Sequence, residues 1–328
     1  MVRSLLILII SFNIFSKENL NEEVFKQLVE LIESDSATQS FIISNDNEVV
    51  HEYYGDGYTR DDLATSWSIS KTFYAALFGV AIEKGLISYS DLLKPISFFI
   101  PELIEDSKSQ LTLYNLLAMR SGLEITEYLN EEMFFSIDNL DFAMNAQPAM
   151  SQGEIYEYNN VNTMLLSPII RNIFKEEPHN VLIKEIFDPL GIDRYGLWSD
   201  SAGNDMTYYG IDLMPRDFLK FANLFMNNGR IDGNQIINEE FLKESIKPIS
   251  EGNGEWFGLH WSVRKFNEEK TLVGLEVTDG QFMFFIPEEG ISTVRFTKYF
   301  HNYEKGHQVK FGILEYLLWM PYSWVKYI

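Results

Sequence analysis

Ser68-Ile69-Ser70-Lys71-Thr72-Phe73-Tyr74-Ala75-Ala76-Leu77-Phe78-Gly79-Val80-Ala81-Ile82 sets a serine and a lysine three residues apart at the head of a long apolar run. Residues at i and i+3 of a helix share one face, so the hydroxyl can sit beside the amine. A helix start adds free N–H groups and the positive end of the backbone dipole. A hydroxyl is a weak nucleophile until a neighbouring base takes its proton, and lysine becomes such a base once burial lowers its pKa. The helix is expected to run from Ser68 to Lys84, with Gly85 as its stop.

Around this segment the composition narrows the function. The chain has 328 residues, of which 46% are hydrophobic and 23% charged, enough for a sizeable globular core. Lys and Arg total 26 against 48 Asp and Glu, a formal charge of −22. Phosphate binding needs a basic surface, so nucleic acid is not expected as a partner. There is no cysteine, which removes disulfides, thiolate catalysis and cysteine metal sites. His51, His179, His260, His301 and His307 form no HxH or HExxH pattern, so no metal or cofactor is expected and each histidine reads as structural or superficial. At the N-terminus, Arg3 precedes an apolar run from Leu5 to Phe15, too short to span a bilayer. Residues 1–16 read as a signal peptide, with export, and a periplasmic address, as the expectation; an uncleaved membrane tether is the alternative.

Strand patterns fall at both ends of the chain, and helices fill the middle. Phe41 to Ser44 and Val49 to Tyr54 flank a polar turn, as in a hairpin. Leu111 to Arg120 reads as a short helix closed by Ser121-Gly122; Val161 to Phe174, Val181 to Phe187 and Asp217 to Met226 follow as helices. Trp256 to Val263, Phe282 to Ile286 and Ile291 to Phe296 read as strands, ahead of an apolar helix from about Val309 to Trp319. That order implies an α+β fold, with an antiparallel sheet built from both terminal segments and a helical part inserted between them. A single domain over 17–328 is expected, its sheet from about 17–65 and 255–328 and its helical part from about 66–254.

A second element is Tyr156-Glu157-Tyr158-Asn159-Asn160. In an extended backbone Tyr158 and Asn160 point the same way. A phenol near a lysine cation is expected to titrate below its usual pKa and to exchange a proton with the serine, while the amide orients the lysine or a substrate.

Together these segments resemble the serine β-lactamase and penicillin-binding-protein superfamily, in its class C β-lactamase-like branch with its esterases and 6-aminohexanoate-oligomer hydrolases. The likeness rests on Ser68 to Lys71 through Gly85-Leu86-Ile87, on Leu111 to Leu123, on Tyr158-Asn159-Asn160, on Pro189-Leu190-Gly191-Ile192 and on Met214-Pro215-Arg216-Asp217. It implies a β-lactamase/transpeptidase-like fold, Ser68 as nucleophile, Lys71 as its base partner, Tyr158 as general base and acid, and Asn160 orienting Lys71 or the substrate. The Ser68 backbone N–H would be one oxyanion donor.

The chain departs from the family at its third motif, where relatives carry Lys-Thr-Gly or His-x-Gly. One alignment puts Leu272-Val273-Gly274 there, another Glu276-Val277-Thr278, and neither supplies a cation. Thr278 and Asp279 are the nearest polar candidates for substrate binding. The leading expectation is an exported serine hydrolase acting on small ester or amide molecules. A β-lactamase or D-alanyl carboxypeptidase, and a degenerate binding protein of the same fold, are the alternatives.

Overall fold

The computed structural model describes residues 17–125, 129–252, 255–265, 270–277 and 280–298. The signal-peptide reading at 1–16, the C-terminal helix at 309–319, and Thr278 and Asp279 lie outside them.

The hairpin near residue 45 is present as β1 (Thr38–Asn45) and β2 (Glu48–Tyr54). Asp46 and Asn47 close it at φ +46° and +70°, the left-handed pair that two-residue hairpin turns require. The remaining strands are β3 (Ala64–Thr65), β4 (Tyr195–Leu197), β5 (Ile211–Leu213), β6 (Arg230–Ile231), β7 (Asn234–Gln235), β8 (Ser250–Gly252), β9 (Glu255–Phe257), β10 (Ser262–Lys265), β11 (Thr271–Val277), β12 (Gln281–Ile286) and β13 (Ile291–Thr297). Eight of them form one antiparallel sheet in the order β2-β1-β13-β12-β11-β10-β9-β8. The N-terminal hairpin therefore pairs with the last strand of the C-terminal set, as the order of elements predicts.

The helices are α1 (Lys17–Ser34), α2 (Ser70–Glu83), α3 (Leu113–Leu117), α4 (Leu129–Phe135), α5 (Asn139–Met144), α6 (Asn160–Met164), α7 (Leu166–Phe174), α8 (Pro178–Leu182), α9 (Asp188–Leu190), α10 (Pro215–Met226) and α11 (Glu239–Ser245). α2 is buried from Ser70 to Ala81 on every side, as a helix so rich in apolar residues all round must be. A Cβ on Gly79 would come within 2.5 Å of Ile237 Cγ2 and 2.6 Å of Phe241 Cδ1, so a larger residue would push α11 away.

The sheet separates two cores. Val273, Leu275, Met283, Phe285, Val294 and Phe296 face the helical core around α2 and α10, whereas Phe41, Ile43, Leu272, Phe282, Phe284 and Ile286 pack with Leu28 and Ile32 of α1. An ion pair buried on both sides, Arg295 Nη2 to Asp35 Oδ2 at 2.6 Å, ties the segment after α1 to β13. Among the described residues no helix is long and apolar enough to cross a membrane.

Three details differ from the sequence reading. The single strand expected over Trp256–Val263 is two, β9 and β10, joined by a turn in which Gly258 N–H donates to Trp261 O at 2.8 Å. His260, at φ +64°, bends the chain there. The helix expected over Val161–Phe174 is interrupted at Leu165 between α6 and α7. β11 escaped the pattern because Gly274 and Glu276 dilute an otherwise apolar strand.

Candidate active site

Ser68 lies in a one-turn 3₁₀ helix, Trp67–Ile69, that runs directly into α2. Trp67 holds φ +46°, a left-handed conformation that costs a non-glycine residue about 1–2 kcal/mol. Strain of this kind persists only where surrounding contacts over-determine it, and here it lies next to the serine. The turn sits beside β11 and at the mouth of the small sheet β3-β5-β4, where Ser66 N–H donates to Ile211 O at 2.8 Å.

Lys71, one turn on, is 1% exposed. Its Nζ lies 2.8 Å from Ser68 Oγ and 2.9 Å from Tyr208 O. Burial pushes the pKa of the Lys71 ammonium well below the ordinary lysine range, with no carboxylate among the described residues to hold the charge. Nζ donates to both oxygens, and the lowered pKa makes it ready to give up a proton and take that of the serine. Two aromatic rings flank it, with centroids 5.1 Å (Tyr158) and 5.7 Å (Tyr208) from Nζ.

Tyr158 reaches the same point from the loop before α6, and its hydroxyl hydrogen-bonds the Ser68 side chain. The structure thus gathers Ser68, Lys71 and Tyr158 from two separate segments. It corrects the expected protonation, however. Burial raises the Tyr158 phenol to about 12, outweighing the opposing hydrogen bond from Ser68. At neutral pH the phenol therefore rests protonated.

Asn160 begins α6. Its backbone N–H donates to Asn130 Oδ1 at 2.9 Å, and its own Oδ1 is buried with no hydrogen-bond partner among the described residues. The second hydrogen bond of Lys71 goes instead to the Tyr208 carbonyl, which sequence reasoning missed. A main-chain carbonyl has no residue-type signature, so only the path of the 205–210 segment could reveal it.

β11 is the strand beside the nucleophile turn, where relatives carry the third motif. Val273 and Leu275 belong to the core on the helical side, with Val277 packed against it. Glu276 pairs instead with Arg264 at 3.1 Å. Along its described length β11 therefore offers no lysine, arginine or histidine. The Ser121-Gly122 corner nearby is fixed by close approach: at Gly122, φ +70°, a Cβ would lie 2.4 Å from Met150 O. Ala149 and Met150 N–H both donate to Gly122 O, which packs this corner against the strand of chain leading to Tyr158.

Comparison with known proteins identifies the family to which this fold belongs. The beta-lactamase family model matches residues 22–317, and the chain belongs to that family. The 6-aminohexanoate-dimer hydrolase of Paenarthrobacter ureafaciens is 20% identical over 230 residues, 65% of this chain and 58% of the relative. The chain thus spans little more than half of that relative's length. Among solved structures, a Bacillus anthracis protein provisionally assigned as a 6-aminohexanoate-dimer hydrolase superposes with a TM-score of 0.77 at 21% identity, covering 89% of this chain and 80% of that one. A class C beta-lactamase variant gives 0.72 at 18% identity, with 93% and 99% covered. The octameric penicillin-binding-protein homologue of Pyrococcus abyssi gives 0.71 at 19%, with 92% and 78% covered. At these identities the likeness establishes the β-lactamase/transpeptidase fold.

Proposed function

We propose that the protein is a serine hydrolase that cleaves small, uncharged esters or amides through an acyl-enzyme on Ser68. The observation that carries this reading is the contact between Ser68 Oγ and the fully buried Lys71 Nζ at 2.8 Å. In the first step Lys71 takes the Ser68 proton as the oxygen attacks the carbonyl carbon. The oxyanion forms beside the Ser68 amide at the start of the helix. As the tetrahedral adduct collapses, the proton on Lys71 passes through the Tyr158 hydroxyl to the departing alkoxide or amine. Water then attacks the acyl-enzyme, giving its proton to the same pair, and Ser68 recovers its hydrogen. Asn160, whose buried Oδ1 has no hydrogen-bond partner among the described residues, would accept a hydrogen bond from a substrate amide N–H.

The missing cation on β11 supports an uncharged substrate. Penicillins and D-alanyl peptides carry a carboxylate, and losing one charge-assisted hydrogen bond to it weakens binding by about 1.5–3 kcal/mol, roughly ten- to more than a hundred-fold. Export through residues 1–16, leaving one domain over 17–328, belongs to the same proposal. The test compares kcat/KM for p-nitrophenyl butyrate with that for nitrocefin and benzylpenicillin, alongside fluorophosphonate labelling mapped to a peptide. The ester is expected to win, and the label to fall on Ser68 and vanish in Ser68→Ala. A preference for the β-lactam gives the site to the penicillin-recognising alternative, and label on Ser66 or Ser70 removes Ser68 from its role.

A further inference from the structure

His260 occupies a position that its surroundings make expensive. It is the second of two residues in the turn between β9 and β10, at φ +64°, where glycine is favoured. It is also completely buried. Were the turn the only requirement, glycine would meet it without strain. Were filling space the only requirement, an apolar side chain would do so without burying two ring nitrogens. Neither accounts for an imidazole.

The ring has two partners, and they lie on opposite sides of one functional loop. Nδ1 is 2.7 Å from Leu117 O, and Nε2 is 2.8 Å from Thr163 Oγ1. A carbonyl only accepts, so Nδ1 carries the hydrogen and Nε2 accepts the threonine hydroxyl. The His260 backbone N–H also donates to Leu117 O at 2.9 Å. Leu117 leads, two residues on, to Met119, whose carbonyl accepts the Glu157 N–H at 2.9 Å, immediately before Tyr158. Thr163 lies in α6, which begins just after Tyr158. The Thr163 carbonyl in turn accepts the Thr207 hydroxyl at 2.7 Å, next to the Tyr208 carbonyl that holds Lys71.

We propose that His260 is a positioning residue for Tyr158: its neutral imidazole clamps the chain segments on both sides of that tyrosine and fixes where the phenol hydroxyl meets Ser68. The inference rests on the acyl-enzyme reading and assigns His260 no contact with substrate. One donor and one acceptor at a fixed separation are what a carbonyl on one side and a hydroxyl on the other demand. A ring also transmits position better than a flexible chain, because it has only two rotatable bonds. A displacement of about 1 Å at a catalytic group can reduce the rate about a hundred-fold.

The test measures kcat and KM on p-nitrophenyl butyrate, and the rate of fluorophosphonate labelling, for His260→Gly, His260→Asn and Thr163→Val. Each is made in the native background and again with Tyr158→Phe. His260→Gly relieves the backbone strain and removes both side-chain bonds; kcat is expected to fall about 10- to 100-fold with KM within about threefold. His260→Asn keeps a donor for Leu117 O and is expected to recover part of that loss. Thr163→Val removes the other bond and is expected to lower kcat about 3- to 10-fold. With Tyr158→Phe already present, each change is expected to add less than about twofold, because no hydroxyl remains to be placed. Equal losses in both backgrounds make His260 a general packing residue and overturn the proposal. So do native rates in folded His260→Asn and Thr163→Val, which decide the matter even where His260→Gly does not fold. Failure of the underlying reading is distinct: label on a serine other than Ser68, or a native rate in Tyr158→Phe alone, removes both together.

Discussion

Replacing Lys71 by methionine separates the two effects of its burial. The side chain is 1% exposed and has no carboxylate partner among the described residues, so burial lowers its pKa well below the ordinary lysine value. A lysine whose pKa falls on folding costs stability at any pH below its ordinary value of 10.5. Methionine has a similar length and no such cost. It leaves Tyr208 O and Ser68 Oγ without the amine, at 2.9 and 2.8 Å in the native site, a loss of about 1–3 kcal/mol. The cost removed is expected to exceed that loss, so Lys71→Met is expected to be more stable than the native protein at pH 7. The sign has a pH signature. A folded pKa below the unfolded one means that the unfolded chain binds more protons, so native stability rises with pH towards 10.5. The advantage of the variant should accordingly shrink between pH 7 and pH 9. Activity should move the other way, with ester hydrolysis lost by roughly 10²–10⁴-fold or more as the base disappears. Urea unfolding at pH 7, 8 and 9, with p-nitrophenyl butyrate turnover on the same samples, measures both. A variant less stable than native at pH 7, or one with a pH-independent difference, refutes the lowered pKa of the buried lysine. Retained turnover refutes its role as base.

Tyr158→Phe removes a hydroxyl bonded to Ser68 and is expected to slow acylation by roughly 10²–10⁴-fold with little change in stability; pre-steady-state release of p-nitrophenol reads it. Asp35→Ala strands a buried guanidinium far from the site, so thermal or urea unfolding should show a loss of about 3–5 kcal/mol while kcat of the folded fraction stays native. Burial, opposed by the Leu117 carbonyl, takes the His260 imidazole from 6.5 down to about 4. Its stabilising contribution is thus complete above pH 6.5 and is lost as the pH falls to about 4, by up to about 3 kcal/mol. Acid titration of stability in the native protein and in His260→Asn should diverge across that window, and parallel curves would count against the buried neutral ring.

Much of the fold was legible because its elements announce themselves locally. The β1–β2 hairpin has alternating apolar residues around a polar turn, and α2 is a run too long and too apolar to be anything but a buried helix. Their order along the chain, strands at both ends with helices between, was enough to infer an antiparallel sheet closed by the two termini. Elements with mixed patterns were harder to see. α1 carries a narrow apolar stripe among charges, β11 is interrupted by Gly274 and Glu276, and the bend at His260 depends on a backbone conformation that histidine rarely adopts.

The same division runs through the site. Three residues of spacing on a helix put Ser68 beside Lys71, and that geometry is fixed by the helix itself, so the sequence determined it. Tyr158 could be proposed from its motif, but its approach to Ser68 depends on how a loop ninety positions away is packed. The protonation states belonged wholly to the tertiary structure. The same lysine and tyrosine, exposed to water, would be a cation and an ordinary phenol; burial lowers the pKa of one and keeps the proton on the other. A backbone carbonyl from Tyr208 and an imidazole from His260 complete the surroundings, brought from segments more than a hundred residues further along the chain. Local spacing sets which groups neighbour each other on one helix, whereas desolvation and long-range contacts exist only once the chain has packed, and these decide what the groups can do.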